Sequence, residues 1–233
     1  MSYYASLGYV EVPQTALKEA LARQPNGCFI VQGMGPLAIY GKATLGRLLL
    51  THGAGAGHQS PFMRQYVTSL ASRGFQVLCI DFPYMQQMLE TGTRRPPPPI
   101  AQTLEQFSEW YALLSGLFTE PLWVGGKSMG GRVATLLASQ PAYAQALPGV
   151  IVAGYPFHPT KAPNKLRLDH WPGIECPLLV LQGERDPFGT RDEVESYQLP
   201  SNVQLGWLKD GDHDFKPRRI SGFTQTVLID EAT

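Results

Sequence analysis

The chain reads as an α/β protein built on a mostly parallel sheet. Three observations predict this. Short apolar runs recur between glycine and polar boundaries, helical patterns separate them from the third run onward, and glycine-rich turns follow several of the runs. A length of 233 residues can bury a full core and suits one domain covering residues 1–233.

The runs fall near residues 28–31, 37–41, 47–52, 75–82, 122–125, 149–154, 178–182 and 203–208, which predicts a sheet of about eight strands with helices on both faces. Before them, residues 1–27 show only a short helical pattern near Thr15–Ala22. After the third run, Ser60 and Pro61 supply a cap and a first helical position for Phe62, Tyr66 and Leu70, and Gly74 ends that helix. Residues 84–99 read as a loop ending in Arg94-Arg95-Pro96-Pro97-Pro98-Pro99, a stiff extended connector. Leu104, Phe107, Tyr111, Leu114 and Phe118 then form an apolar helical stripe, with Thr103 and Gln106 as a capping box. Another helix is expected from Arg132 to Ser139. Residues 155–177 are short and rich in proline, which leaves no room for a separate cap domain.

Composition narrows the function. Nineteen basic residues balance nineteen acidic ones, so no overall field favours nucleic acid or an anionic membrane. Cys28, Cys79 and Cys176 form no C-x-x-C pair and read as reduced residues. The first residues carry neither a basic segment nor an apolar run, and no stretch nears the ~18 apolar residues of a membrane span; a cytoplasmic location is expected. The histidines are scattered, with no H-x-x-x-H or H-E-x-x-H pair, so no metal is expected.

The sharpest signal is Gly125-Gly126-Lys127-Ser128-Met129-Gly130-Gly131, between the Leu122-Trp123-Val124 run and a helical pattern. A G-x-S-x-G sequence there places serine on a tight strand-to-helix turn, where side chains two residues either side would strike backbone. Gly126-Lys127-Ser128 also ends like a phosphate-binding loop, but the glycine that opens such a loop is replaced by Pro121. A serine hydroxyl needs a base, an acid to orient that base, and donors for an oxyanion. His213, in the loop after the last run, is the base candidate, with His52, His58, His158 and His170 as alternatives. Asp186, just past the 178–182 run, is the acid candidate, with Asp81 and Glu184 as rivals. The order Ser128, Asp186, His213 follows a nucleophile–acid–histidine arrangement. The oxyanion donors are expected at the amide of Met129 and, from the loop Thr51–Gly57, at the amide of Ala54.

These stretches, with Asp81-Phe82-Pro83-Tyr84, Arg94-Arg95-Pro96-Pro97, Gly154–Pro159, Gly183–Gly189 and Asp210–Phe215, resemble the α/β-hydrolase superfamily. Within it the chain is similar to small dienelactone-hydrolase-like proteins, and to the hydrolase-like domain of testis-expressed proteins and a subunit of the NSL chromatin complex. The resemblance implies Ser128 as nucleophile, Asp186 as acid, His213 as base and the amides of Ala54 and Met129 as oxyanion donors. It implies no cofactor and no agreed substrate. Dienelactone hydrolases proper carry cysteine where this chain has Ser128, which argues against dienelactone itself. The expected function is hydrolysis of a small-molecule carboxylic ester or thioester through an acyl-enzyme. Arg94, Arg95, Tyr155 and His158 are candidate substrate-binding residues. The competing class is a catalytically idle interaction module.

Overall fold

The computed structural model describes residues 2–233 in two compact units, one ending at Leu122 and the other beginning at Trp123. The first contains α1 (Tyr3–Ser6), β1 (Val10–Val12), α2 (Leu17–Arg23), β2 (Cys28–Val31), β3 (Gly35–Tyr40), β4 (Gly46–Thr51), α3 (Pro61–Ser72), β5 (Phe75–Ile80), α4 (Pro83–Thr91) and α5 (Ile100–Ser115). Its strands lie in the order β1-β2-β3-β5-β4. β1 and β2 are parallel, β3 is antiparallel to both β2 and β5, and β4 is parallel to β5 with Leu48 opposite Val77 and Leu50 opposite Cys79.

Leu48, Leu49, Leu50, Val77, Leu78 and Cys79 are all fully buried, so both faces of β4 and β5 are covered. That is why these strands read as continuous apolar runs instead of alternating ones. Each such leucine contributes about 1.5–3 kcal/mol by leaving water. Helix α3 packs on β5 and β3 through Met63, Tyr66, Val67 and Leu70, which recur at helical spacing.

The second unit holds β6 (Leu122–Lys127) from Trp123 onward, α6 (Met129–Ala138), β7 (Val150–Ala153), β8 (Leu178–Gly183), α7 (Arg191–Glu195), β9 (Val203–Leu208) and α8 (Gln225–Glu231). Here β6, β7, β8 and β9 are neighbours in chain order and all parallel. Parallel pairing brings the C-terminal ends of these strands, and the loops that leave them, to one edge.

Three details differ from the sequence reading. Strand β1 was not expected: three residues carry too little pattern, and their pairing with β2 defines them. The segment 84–99 is not all loop, since α4 occupies Pro83–Thr91, opened by Pro83 and closed by left-handed Gly92. Helix α5 starts at Ile100, directly after the proline run. Thr103 therefore lies inside its first turn and donates to the Ile100 carbonyl instead of capping. Among the described residues the segment 155–177 contains only a single 3₁₀ turn, Trp171–Gly173, in keeping with a fold that has no separate cap. No helix of the described residues is long and apolar enough to cross a membrane.

Candidate active site

Ser128 sits between β6 and α6 with φ 55° and ψ −115°, a conformation that costs a non-glycine residue about 1–3 kcal/mol. The turn is held because Ser128 N–H donates to the Ala153 carbonyl at 3.0 Å, and because nothing projects from Gly126. A Cβ there would stand 2.4 Å from the Gly130 carbonyl carbon and 2.6 Å from Gly131 N. Such a turn raises the serine hydroxyl above the strand end.

The loop Asp210–Phe215 leaves β9 and carries His213. It is shaped by left-handed residues Asp210 and Phe215, by the fully buried Phe215 ring, and by the Asp212 carboxylate accepting from the amides of Asp214 and Lys216. His213 Nε2 lies 2.8 Å from Ser128 Oγ, and His213 Nδ1 lies 2.7 Å from Asp186 Oδ2. Asp186 is an obligate acceptor when ionised, so Nδ1 carries a proton and Nε2 offers its lone pair to the Ser128 hydroxyl. The Phe188 ring, 4.4 Å from the imidazole between centroids, packs against it.

Asp186 is wholly buried, and its oxygens are matched by donors. Phe188 N–H donates to Oδ1 at 2.9 Å and Gln182 Nε2 to Oδ2 at 2.9 Å. Gln182, at the end of β8, also accepts from Tyr155 N–H at 2.7 Å and donates to the carbonyls of Tyr155 and Gly189. Sequence reasoning missed Gln182. Its signal was a lone polar side chain ending an apolar strand run, a position that is buried and must find partners. The sequence marks Lys127 only as part of the Gly126-Lys127-Ser128 turn. It is 5 % exposed and donates to the His213 carbonyl at 2.7 Å.

The other proposed residues have surroundings of their own. Ala54 is in the first unit, on the loop after β4, where Gly53 and Ala56 form an isolated bridge and Tyr84 Oη donates to the Ala54 carbonyl at 3.1 Å. Met129 opens α6. Arg94 lines a cavity of about 270 Å³ in the first unit, together with Tyr3, Met85, Met88 and Leu89; Arg95 is exposed. Tyr155 is fully buried, and its hydroxyl donates to the Arg167 carbonyl at 2.7 Å and accepts from Trp171 Nε1; burial pushes its pKa up to about 12. His158 is buried too, with Nε2 3.6 Å from Glu193 Oε1.

The alternative bases and acids have other neighbours. Asp81 is fully buried in the first unit, where it accepts from His58 N–H at 2.8 Å and Tyr4 Oη at 2.7 Å, and His52 Nε2 lies 3.6 Å away. His58 Nδ1 approaches Asp81 Oδ2 to 2.7 Å. Burial alone would raise Asp81, but His58, His52 and Tyr4 outweigh it and hold the carboxyl below the usual range. His170 is held by Thr135 Oγ1 at 2.9 Å, and burial, aided by Arg132, lowers its pKa to about 4. Among the described residues no group of three or more His, Cys, Asp or Glu side chains is placed to hold a metal ion.

Solved structures share this architecture. A dienelactone hydrolase from Anabaena variabilis superposes with a TM-score of 0.62 at 21 % identity, covering 87 % of this chain and 92 % of that one. An alpha-beta serine hydrolase homologue from Coxiella burnetii gives 0.61 at 14 % identity, over 88 % and 94 %. Est1E from Butyrivibrio proteoclasticus gives 0.60 at 11 %, over 86 % and 93 %. At these identities the likeness is one of fold. A protein-family model described as an alpha/beta hydrolase domain matches residues 44–233, which is most of the chain. With nine mostly parallel strands among its described residues, helices flanking them, and that match over residues 44–233, the chain belongs to the α/β-hydrolase domain family.

Proposed function

We propose that the chain is a serine hydrolase that cleaves a small carboxylic ester or thioester through an acyl-enzyme, with Ser128, His213 and Asp186 as its triad and residues 1–233 as one domain. The observation that carries the reading is the continuous relay from Ser128 Oγ through His213 to Asp186, with links of 2.8 and 2.7 Å. In the proposed reaction, Ser128 Oγ attacks the substrate carbonyl carbon while His213 Nε2 takes its proton. Asp186 stabilises the imidazolium without itself taking the proton. The amides of Met129 and Ala54 are the proposed donors to the oxyanion, Met129 because it directly follows the nucleophile and Ala54 because it lies in the loop after β4. Collapse of the tetrahedral intermediate expels the alcohol or thiol, protonated by His213. Water then repeats the sequence, returning the acid and free Ser128.

Arg94 and Arg95 are proposed to bind the substrate, supported by the position of Arg94 on the cavity and by the fit of a guanidinium to a carboxylate. Tyr155 and His158 have their polar atoms directed within the fold, so their proposed part is to hold the segment 155–177 as a wall of the site. The free thiols of Cys28, Cys79 and Cys176 support a reducing, cytoplasmic setting. The even charge balance favours a small substrate over nucleic acid or a membrane. Kinship with the hydrolase-like domain of testis-expressed proteins and of the NSL-complex subunit is proposed on the shared motifs alone.

Hydrolysis of p-nitrophenyl acetate by wild type and Ser128→Ala tests the reading. The substitution should leave the fold intact and lower turnover by ~10⁴-fold or more, because the triad acts as a unit. Equal rates would remove Ser128 from the mechanism, and an inactive wild type would favour the idle interaction module.

A further inference from the structure

The residue just before the nucleophile reaches the loop of the base. Lys127 is the last residue of β6, almost wholly buried, and its Nζ donates to the His213 carbonyl at 2.7 Å while lying 3.3 Å from Asp214 Oδ1. Surface lysines extend into water, and burying this one costs free energy unless its charge and donors are matched. The fold makes room for it. Gly154, just after β7, has φ +66°, and the point where a Cβ would stand there is 3.2 Å from Lys127 Nζ, 3.1 Å from the His213 carbonyl oxygen and 3.4 Å from His213 Nδ1. A side chain at that position would press on both partners of the contact.

We propose that Lys127 is a positioning residue for His213: its ammonium ties the backbone of the base-bearing loop to the strand that carries Ser128 and sets a positive charge beside the imidazole. This rests on the triad assignment made above. The contact joins two consecutive residues of the elbow to one residue of the loop, Ser128 through the imidazole and Lys127 through the carbonyl. His213 is thus held at its imidazole and at its carbonyl, which sets the distance between Oγ and Nε2 from both ends of the residue. Charges facing the ammonium come from Asp214 and Asp212 on the same loop as His213 and from Asp186 after β8. Burial lowers the lysine's pKa, and these three carboxylates oppose that change, Asp214 most strongly. The imidazole itself faces Asp186 and, through the space beside Gly154, Lys127.

NMR titration of the His213 ring proton, together with steady-state kinetics on p-nitrophenyl acetate, tests the proposal in the full chain. Lys127→Met keeps the length of the side chain and removes both the charge and the donor. Its titration midpoint should rise by about half a pH unit, since a cation within several ångströms no longer opposes the imidazolium. Its kcat should fall by ~10-fold with KM little changed, because the ground-state complex does not depend on the register of base and nucleophile. Asp214→Asn keeps the carbonyl contact and removes the counter-charge. It should move the midpoint downward, and it remains informative if Lys127→Met does not fold. A midpoint unmoved in both variants, or an unchanged kcat in a folded Lys127→Met, would overturn the proposal. Midpoint shifts in the expected directions in the two variants, with a wild type that shows no turnover, would uphold the coupling of Lys127 to His213 and instead overturn the hydrolase reading.

Discussion

Gln182 donates to Asp186 Oδ2 at 2.9 Å, so the carboxylate that orients His213 is itself held by the side chain closing strand β8. The same amide accepts from the Tyr155 backbone, which joins the acid to the segment after β7. Gln182→Leu would leave the buried Tyr155 N–H and one Asp186 lone pair unmatched, at a cost of about 1–3 kcal/mol for each orphaned group. Reduced thermal stability and a lower kcat are expected together, measured by calorimetry and ester hydrolysis. A variant with wild-type stability would show that Gln182 is not a structural support of the acid.

Gly126 and Gly116 separate glycines that are needed from those that are merely present. A Cβ on Gly126 meets the backbone of Gly130 and Gly131, which cannot move without unwinding the first turn of α6. Gly126→Ala should destabilise the chain by at least ~1–3 kcal/mol, the range for forced overpacking. At Gly116 a Cβ stays 3.5 Å from its nearest neighbour, the Ala112 carbonyl, and the backbone is right-handed, so Gly116→Ala should be neutral or stabilise by ~0.4–1 kcal/mol. Chemical denaturation of the two variants reads the contrast. Equal stabilities would mean that the elbow relaxes around the added methyl.

His170 makes stability depend on pH in a defined window. Its folded-state pKa is lowered to about 4, whereas an unfolded histidine titrates near ~6.5. Between these values the unfolded chain binds the proton more readily, so stability should fall as pH drops from 6.5 toward 4 and level off below. His170→Gln should remove this part of the slope. Melting curves from pH 4 to 7 decide it, and parallel slopes in the two proteins would contradict the assignment.

Substrate size follows from the segment 155–177. Its aromatic residues Tyr155, Phe157 and Trp171 pack on one another at 4.9–5.7 Å between centroids and are all buried, so they anchor the segment to the core, while residues 160–166 between them stay mostly exposed and form no helix or strand that could serve as a lid. A long acyl chain gains about 0.8 kcal/mol per CH₂ only against an apolar wall. Nitrophenyl esters of two to four carbons should therefore show higher kcat/KM than those of ten or more. A kcat/KM that climbs steadily to ten carbons would reveal a deep apolar channel.

Much of the candidate site was legible because its residues stand next to strong local signals. Ser128 lies between flanking glycines, and Asp186 and His213 each follow an apolar run whose strand the structure places within a residue or so of the predicted bounds, residues 203–208 coinciding with β9. What stayed hidden depends on distant pairing. Tyr4 and Asp81 are separated by 77 positions, as are the groups around Lys127 by 86, and no local periodicity records such contacts. Helix α4 is an intermediate case. Pro83 and Gly92 mark both of its ends, but only Met85 is buried, so the apolar stripe that announces a helix is nearly absent.

If Ser128 is an activated nucleophile, a fluorophosphonate should label it covalently, and no measurement bears on the proposed triad more directly. One adduct per chain is expected, mapped by peptide mass spectrometry to Ser128. Labelling should weaken as the pH is lowered and His213 becomes protonated, and it should be lost in His213→Ala. An adduct on another residue, or no adduct under conditions that label a known serine esterase, would contradict that role for Ser128.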